Sequence, residues 1–146
     1  MSLRRKGREL ALQVLYQLDM SGEASEQGLH AFAESFESSE KARSFAWQLV
    51  RGVRERQAEL DAALVTGAEN WRVERLSRID ANVIRLAIYE MTNGLPLEIA
   101  INEAVEVARK YGTNESAAFV NGVLDGVATR LGLERGRKPV AAADDE

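Results

Sequence analysis

Apolar residues recur at helical spacing along most of this chain, and no segment shows the sustained alternation that a strand requires. Leu10, Ala11, Val14, Leu15 and Leu18 share one helical face, and Ser21-Gly22 ends that segment. Leu29, Phe32, Ala33 and Phe36 give a short second helix. Ser38-Ser39-Glu40 caps a third and puts an acid in its first turn. Its stripe runs through Ala46, Leu49, Val50, Val53, Leu60 and Leu64, with Gly52 as the expected break. Asn70-Trp71 marks a change of direction at mid-chain.

The second half is punctuated more sharply. Ser77-Arg-Ile-Asp80 matches a capping box, in which the serine accepts from the helix start and the acid reaches back. Ile84, Ala87, Ile88 and Met91 supply the buried face behind it. Asn93-Gly94 stops that helix and Pro96 opens the next. Leu97, Ile101, Ala104, Val105, Ala108 and Tyr111 form its stripe, and Gly112 ends it. Val120, Val123, Leu124, Val127 and Leu131 form the last.

These stripes predict an all-α fold of six or seven short helices. Residues 1–133 are expected to form one domain with helical subdomains at about 1–70 and 71–133 sharing one core, each half being near the lower size limit for folding. The segment 134–146 is rich in Gly, Ala and charge and is expected to be disordered.

Composition narrows the functional classes. With 45% hydrophobic residues in 146, the chain has enough apolar material for a core. It has no cysteine, which excludes disulfides and thiolate metal sites. No apolar run approaches the roughly 20 residues of a membrane span. The basic N-terminus leads into an amphipathic pattern rather than a signal-peptide block. The expectation is a cytoplasmic protein without a membrane contact.

Charge is distributed unevenly. Arg4, Arg5, Lys6 and Arg8 stand in the first eight residues without an acid among them. The net charge is −4, so the remainder holds 15 of the 19 basic residues against all 23 acids, a balance of −8. A basic start on an acidic body fits a local polyanion contact or, equally, a solubilising helix end.

Catalytic constellations are missing from the pattern. His30 is the one histidine and reads as a surface residue. There is no phosphate loop and no HExxH. Glu103 and Glu106 stand among basic neighbours and read as a solvated face. Two asparagines, Asn102 and Asn121, adjoin strongly apolar positions. Asn102 is expected to tie neighbouring helices together or bond a loop carbonyl, since a buried amide without a partner costs about 1–3 kcal/mol. Phe119 lies about 95° from the centre of the last stripe, at the edge of the buried face. It is either an edge-of-core ring or an aromatic that stacks on a base beside free helix-start N–H groups.

Four segments resemble one family in order and spacing. They are Arg4-Arg-Lys-Gly-Arg-Glu-Leu-Ala-Leu-Gln-Val-Leu-Tyr16-Gln, Ile84-Arg-Leu-Ala-Ile-Tyr-Glu90, Ile101-Asn-Glu-Ala-Val-Glu-Val-Ala-Arg-Lys-Tyr-Gly112 and Phe119-Val-Asn-Gly-Val-Leu-Asp125. Together they are similar to the NusB family of bacterial transcription antitermination factors. The resemblance implies two small helical bundles, no catalysis and no cofactor or metal. It implies pairing with NusE, a ribosomal small-subunit protein, and binding of boxA-type single-stranded RNA. The assembly would join elongating RNA polymerase and suppress premature termination, notably on ribosomal RNA operons. By the same resemblance Arg4, Arg5, Lys6, Arg8, Ser116, Phe119 and Asn121 face RNA, and Tyr16, Met20 and Asp80 face the protein partner. The sequence departs from the family at Ala117 and Ala118, where basic or polar residues can stand, and Glu115 adds negative charge nearby. Gly7 inside the basic start points to an arm that orders on binding. A homodimer is a further possible assembly. Two other classes fit the pattern: a helical protein-interaction adaptor without an RNA role, and a free-standing relative of the N-terminal domain of a ribosomal RNA cytosine methyltransferase.

Overall fold

Burial follows the apolar stripes. A computed structural model describes residues 2–21, 25–68 and 76–133. Among them are seven helices and no strand: α1 Leu3–Ser21, α2 Glu26–Phe36, α3 Glu40–Glu55, α4 Gln57–Gly67, α5 Arg78–Thr92, α6 Leu97–Tyr111 and α7 Ser116–Arg130. The expected turn at Asn70-Trp71 and the tail 134–146 lie outside the described residues, as does Gly22.

The sequence signals at helix ends have physical counterparts. Ser39 Oγ accepts from the Ala42 N–H at 3.2 Å, and Ser77 Oγ accepts from the Asp80 N–H at 3.0 Å. Asp80 does not complete the capping box: its Oδ1 is buried with no hydrogen-bond partner among the described residues. After α5 the chain turns through Gly94 at φ 105°, a conformation that glycine adopts without a Cβ penalty. Pro96 stands immediately before α6, as its position predicted. The expected break at Gly52 is absent. Gly52 is buried inside α3, where the Tyr89 ring occupies the space of a Cβ, and α3 ends at Arg56 instead.

Helix α5 is the hub. Ten of its residues are buried, including Asp80, Asn82 and Glu90, because α1, α3, α4, α6 and α7 all pack around it. A helix covered on every side must satisfy its polar groups through other helices. Asn82 Nδ2 donates to Asp19 Oδ2 at 2.9 Å, and Arg85 Nε donates to Asp61 Oδ1 at 2.6 Å. Those bonds fix the end of α1 and the middle of α4 against α5.

Packing groups α1–α3 and α4–α7, because α4 lies chiefly on α7 and α5 and only slightly on α3. One continuous apolar core joins both groups, with Leu10, Leu12, Leu49, Leu60, Ile84, Ile88, Ile101 and Leu124 fully buried. Each such side chain contributes about 1.5–3 kcal/mol by burial. Leu131, expected in the last stripe, is 46% exposed because α7 has already ended.

Candidate nucleic-acid and partner interface

The basic start is helical from Leu3 onward and is not a separate arm. Gly7 serves packing: a Cβ there would stand 2.6 Å from Phe45 Cδ2 and 3.0 Å from the Ala42 carbonyl oxygen. This close approach lets α1 lie along α3.

The four cations separate into different environments. Arg8 is only 4% exposed and donates through Nε and Nη2 to both carboxylate oxygens of Glu90, at 2.7 and 3.0 Å. Its guanidinium charge is compensated inside the fold, which corrects the expectation of a surface phosphate ligand. Arg5 donates to both oxygens of Glu103, at 2.5 and 3.0 Å. Arg4 is half-buried with its guanidinium 4.7 Å from the Phe45 ring centroid. Lys6 is half-buried and in no ion pair among the described residues.

Glu103 is thus an anchor for α1 rather than a solvated acid, which corrects that expectation. The Arg5 guanidinium, by hydrogen bonding first and by charge second, holds the Glu103 carboxyl below its ordinary range, and burial opposes it. A depressed carboxyl stabilises the fold above its ordinary value of about 4.3 and loses that contribution as pH falls through the lowered value. Glu103→Gln should therefore flatten the acid limb of stability. Melting temperatures followed from about pH 6 to about pH 3 check this; parallel curves for the two proteins would refute it. On the next turns Glu9, buried, accepts from Lys110 Nζ at 3.0 Å and Tyr111 Oη at 2.9 Å. Burial, with the Glu9 hydrogen bond behind it, pushes the Tyr111 hydroxyl pKa up.

The α6–α7 residues divide as well. Ser116 is 1% exposed, and its hydroxyl accepts from the Thr113 N–H at 2.9 Å. It closes the turn, so its expected place on an RNA surface is corrected. Phe119 is half-buried against the core, at the edge that its helical angle gave. Its N–H is not free, because α7 starts a turn earlier and Glu115 accepts it at 3.1 Å. Asn121 and Asn102 are both exposed. Asn102 does not tie helices together: it lines an open groove of about 570 Å³ with Val105, Arg109, Asn114, Ala117 and Asn121. A signal for this wall lies in the helical spacing of 102, 105 and 109, but apolar neighbours mask it.

Tyr16, Met20 and Asp80, which the resemblance assigns to a partner face, come to one end of α1 and α5. Tyr16 is half-buried and Met20 is 57% exposed. Between them and Asp80 run the Asp19–Asn82 bond and an Arg78 Nη1 contact to the Asp19 carbonyl at 3.4 Å. His30 is exposed and stacks on Trp47 with centroids 4.4 Å apart. No helix among the described residues is long and apolar enough to cross a membrane.

The model of the NusB family matches residues 5–129, most of the chain. The chain belongs to the NusB family. A transcription antitermination protein NusB of Trichlorobacter lovleyi is 46% identical over 127 residues, covering 86% of this chain and 89% of its own. NusB of T. maritima has the same fold at a TM-score of 0.72 and 34% identity, covering 86% of this chain and 90% of that one. A crystal structure of antitermination factors NusB and NusE in complex with dsRNA gives a TM-score of 0.75 at 23% identity, over 88% and 97% of the two chains. That last likeness carries the fold alone. Membership in the NusB family makes this chain an antitermination protein and not an enzyme.

Proposed function

We propose that this NusB-family chain binds boxA-type single-stranded RNA together with a NusE-type ribosomal small-subunit protein. The assembly joins the cytoplasmic RNA polymerase elongation complex and helps it resist premature termination, notably on ribosomal RNA operons. The observation that carries this reading is family membership across residues 5–129, with 46% identity to a named antitermination protein. A protein of the same fold has been solved with NusE and dsRNA.

In this reading the surface cations at the start of α1 attract phosphates without regard to sequence. Arg4 and Lys6 do so directly. Arg5 exchanges Glu103 for a phosphate. Arg8 contributes only by holding α1 in place. Phe119 and Asn121 meet bases, and Tyr16, Met20 and Asp80 meet the protein partner. The two ligands bound together enlarge one surface, so affinity rises most when both are present.

The test is RNA binding by titration, with and without the NusE-type protein, in the wild type and two variants. Phe119→Ala should lower RNA affinity by about 1–3 kcal/mol if the ring stacks on a base. A loss of fold stability of about 3–5 kcal/mol instead would make the ring part of the core. Asp80→Lys should abolish most partner binding, because mismatched charge across an interface costs several kcal/mol. Normal partner binding by that variant removes Asp80 from the interface. Wild-type protein that binds neither ligand sinks the proposal, and the helical-adaptor reading without RNA would survive only if a protein partner still binds.

A further inference from the structure

Two helix ends in this fold carry charges of the wrong sign. A helix ends on unpaired carbonyls, which disfavour an acid, and begins on unpaired N–H groups, which disfavour a cation. Asp19 nevertheless stands in the last turn of α1, where there is no basic residue, and Arg78 is the first residue of α5. Local preference explains neither. The two ends meet in space: Arg78 Nη1 lies 3.4 Å from the Asp19 carbonyl oxygen, which has no partner within its own helix.

Behind that contact is a closed set of hydrogen bonds. Asn82 is 1% exposed. Its Nδ2 donates to Asp19 Oδ2 at 2.9 Å and to the Arg78 carbonyl oxygen at 3.0 Å. Its Oδ1 accepts from Arg85 Nη1 at 2.9 Å. The amide is thus used on both its nitrogen and its oxygen, which fixes its orientation. Arg85 Nη1 also lies 3.5 Å from Asp19 Oδ2, while Arg85 Nε donates to Asp61 of α4. The Arg85 and Asp19 side chains are mostly buried. In such a set each member holds the others to one arrangement.

The set is turned away from the residues assigned to the protein partner. Asp19 lies about 100° from the exposed Met20 around α1. Arg78, Asn82 and Arg85 fall within about 60° on one strip of α5, and Asp80 stands roughly 140–160° from them. One side of the α1–α5 junction is therefore closed by bonds, and the other presents Tyr16, Met20 and Asp80.

We infer that Asp19 and Asn82, backed by Arg78 and Arg85, are positioning residues for binding of the protein partner. They cap the end of α1 from α5 and hold Tyr16 and Met20 at a fixed distance from Asp80. The wrong-signed charges serve this coupling, since each is compensated only when the two helix ends are together. The inference rests on the partner-binding proposal above and adds to it the residues that preorganise the surface.

Association and dissociation rates of the NusE-type protein test it, together with hydrogen exchange of α1 in the free chain. Asp19→Ala should leave thermal melting nearly unchanged, because alanine favours the helix and the unfavourable charge is gone. Exchange at the last turn of α1 should nevertheless speed up. Association should slow by about tenfold with dissociation unchanged, as expected when the binding-ready fraction falls to about a tenth. Asp19→Asn keeps an acceptor for Asn82 Nδ2 and should retain most of the wild-type rate. Arg78→Ala, an exposed change, should slow association by a smaller factor. RNA binding by the isolated variants should match the wild type. Wild-type exchange and association in Asp19→Ala overturn the inference and leave partner binding standing. Faster dissociation with unchanged association makes Asp19 a direct contact and also overturns it. So does an Asp19→Asn variant as impaired as Asp19→Ala, or a loss of binding that merely follows a lowered melting temperature. Wild-type protein that does not bind the NusE-type protein fails the parent proposal, and this inference with it.

Discussion

Arg8→Ala should destabilise the protein by about 3–5 kcal/mol, more than any surface change in the basic start. The reason lies in what is left behind. Glu90 is 8% exposed, and both of its oxygens accept from the Arg8 guanidinium. Without that partner a carboxylate stays buried among Val83, Leu86 and Ala87. Arg8→Lys should recover only part of the loss, because an ammonium does not reproduce two parallel N–H bonds. Replacing both partners by apolar residues, as Arg8→Met with Glu90→Leu, should restore much of it, since a buried ion pair is often no more stable than well-packed hydrophobic side chains. Urea unfolding at neutral pH measures all three. Were Arg8→Ala to cost under about 1 kcal/mol, the range of a surface pair, the pair would be solvated in solution. The RNA salt slope separates the structural role from a phosphate contact. It should drop by about 0.7 for Arg4→Ala or Lys6→Ala, and stay constant for the folded fraction of Arg8→Ala.

Gly126→Ala is expected to destabilise against its helix propensity. Alanine inside a helix is favoured over glycine by about 1 kcal/mol, so local preference alone predicts a gain. The tertiary contact reverses the sign. A Cβ at Gly126 would stand 2.7 Å from the Gly67 carbonyl oxygen and 3.2 Å from Gly67 Cα. Those atoms are backbone and cannot rotate away, so α4 and α7 must separate. Overpacking of this kind costs about 1–3 kcal/mol. Gly126→Leu should lose more, and spacing α4 from α7 should loosen the seat of Val127 beside it. Circular dichroism melts of the two variants decide it. A rise in stability for Gly126→Ala would show that α4 does not approach α7 this closely.

The two predictions share a cause: contacts between residues far apart in the chain. Arg4, Arg5, Lys6 and Arg8 are alike as letters, and a charge count treats them as one patch. In the folded protein each meets a different neighbour. Arg8 finds Glu90 and Arg5 finds Glu103, at separations of 82 and 98 positions along the chain. Asn102 shows the opposite correction. Beside Ile101 and Ala104 it reads as a buried amide, yet it sits on the exposed strip of α6. Its place on a groove wall depends on Asn114 and Asn121, which the fold brings to the same groove.

The sequence by itself determined the helices, their serine caps at 39 and 77, the Gly94 turn and the faces turned inward. Each of these depends on residues within about one helical turn of each other, so the pattern is written locally. It also determined the family, because four motifs in order are specific whatever their contacts. The tertiary structure alone decided which cations are neutralised, which glycines are needed for close approach, that α4 belongs with α7, and which asparagines share a groove. Those outcomes depend on pairs far apart in the chain. A residue type fixes what bonds a side chain is able to make, and the fold decides which partner comes within about 3 Å to make them.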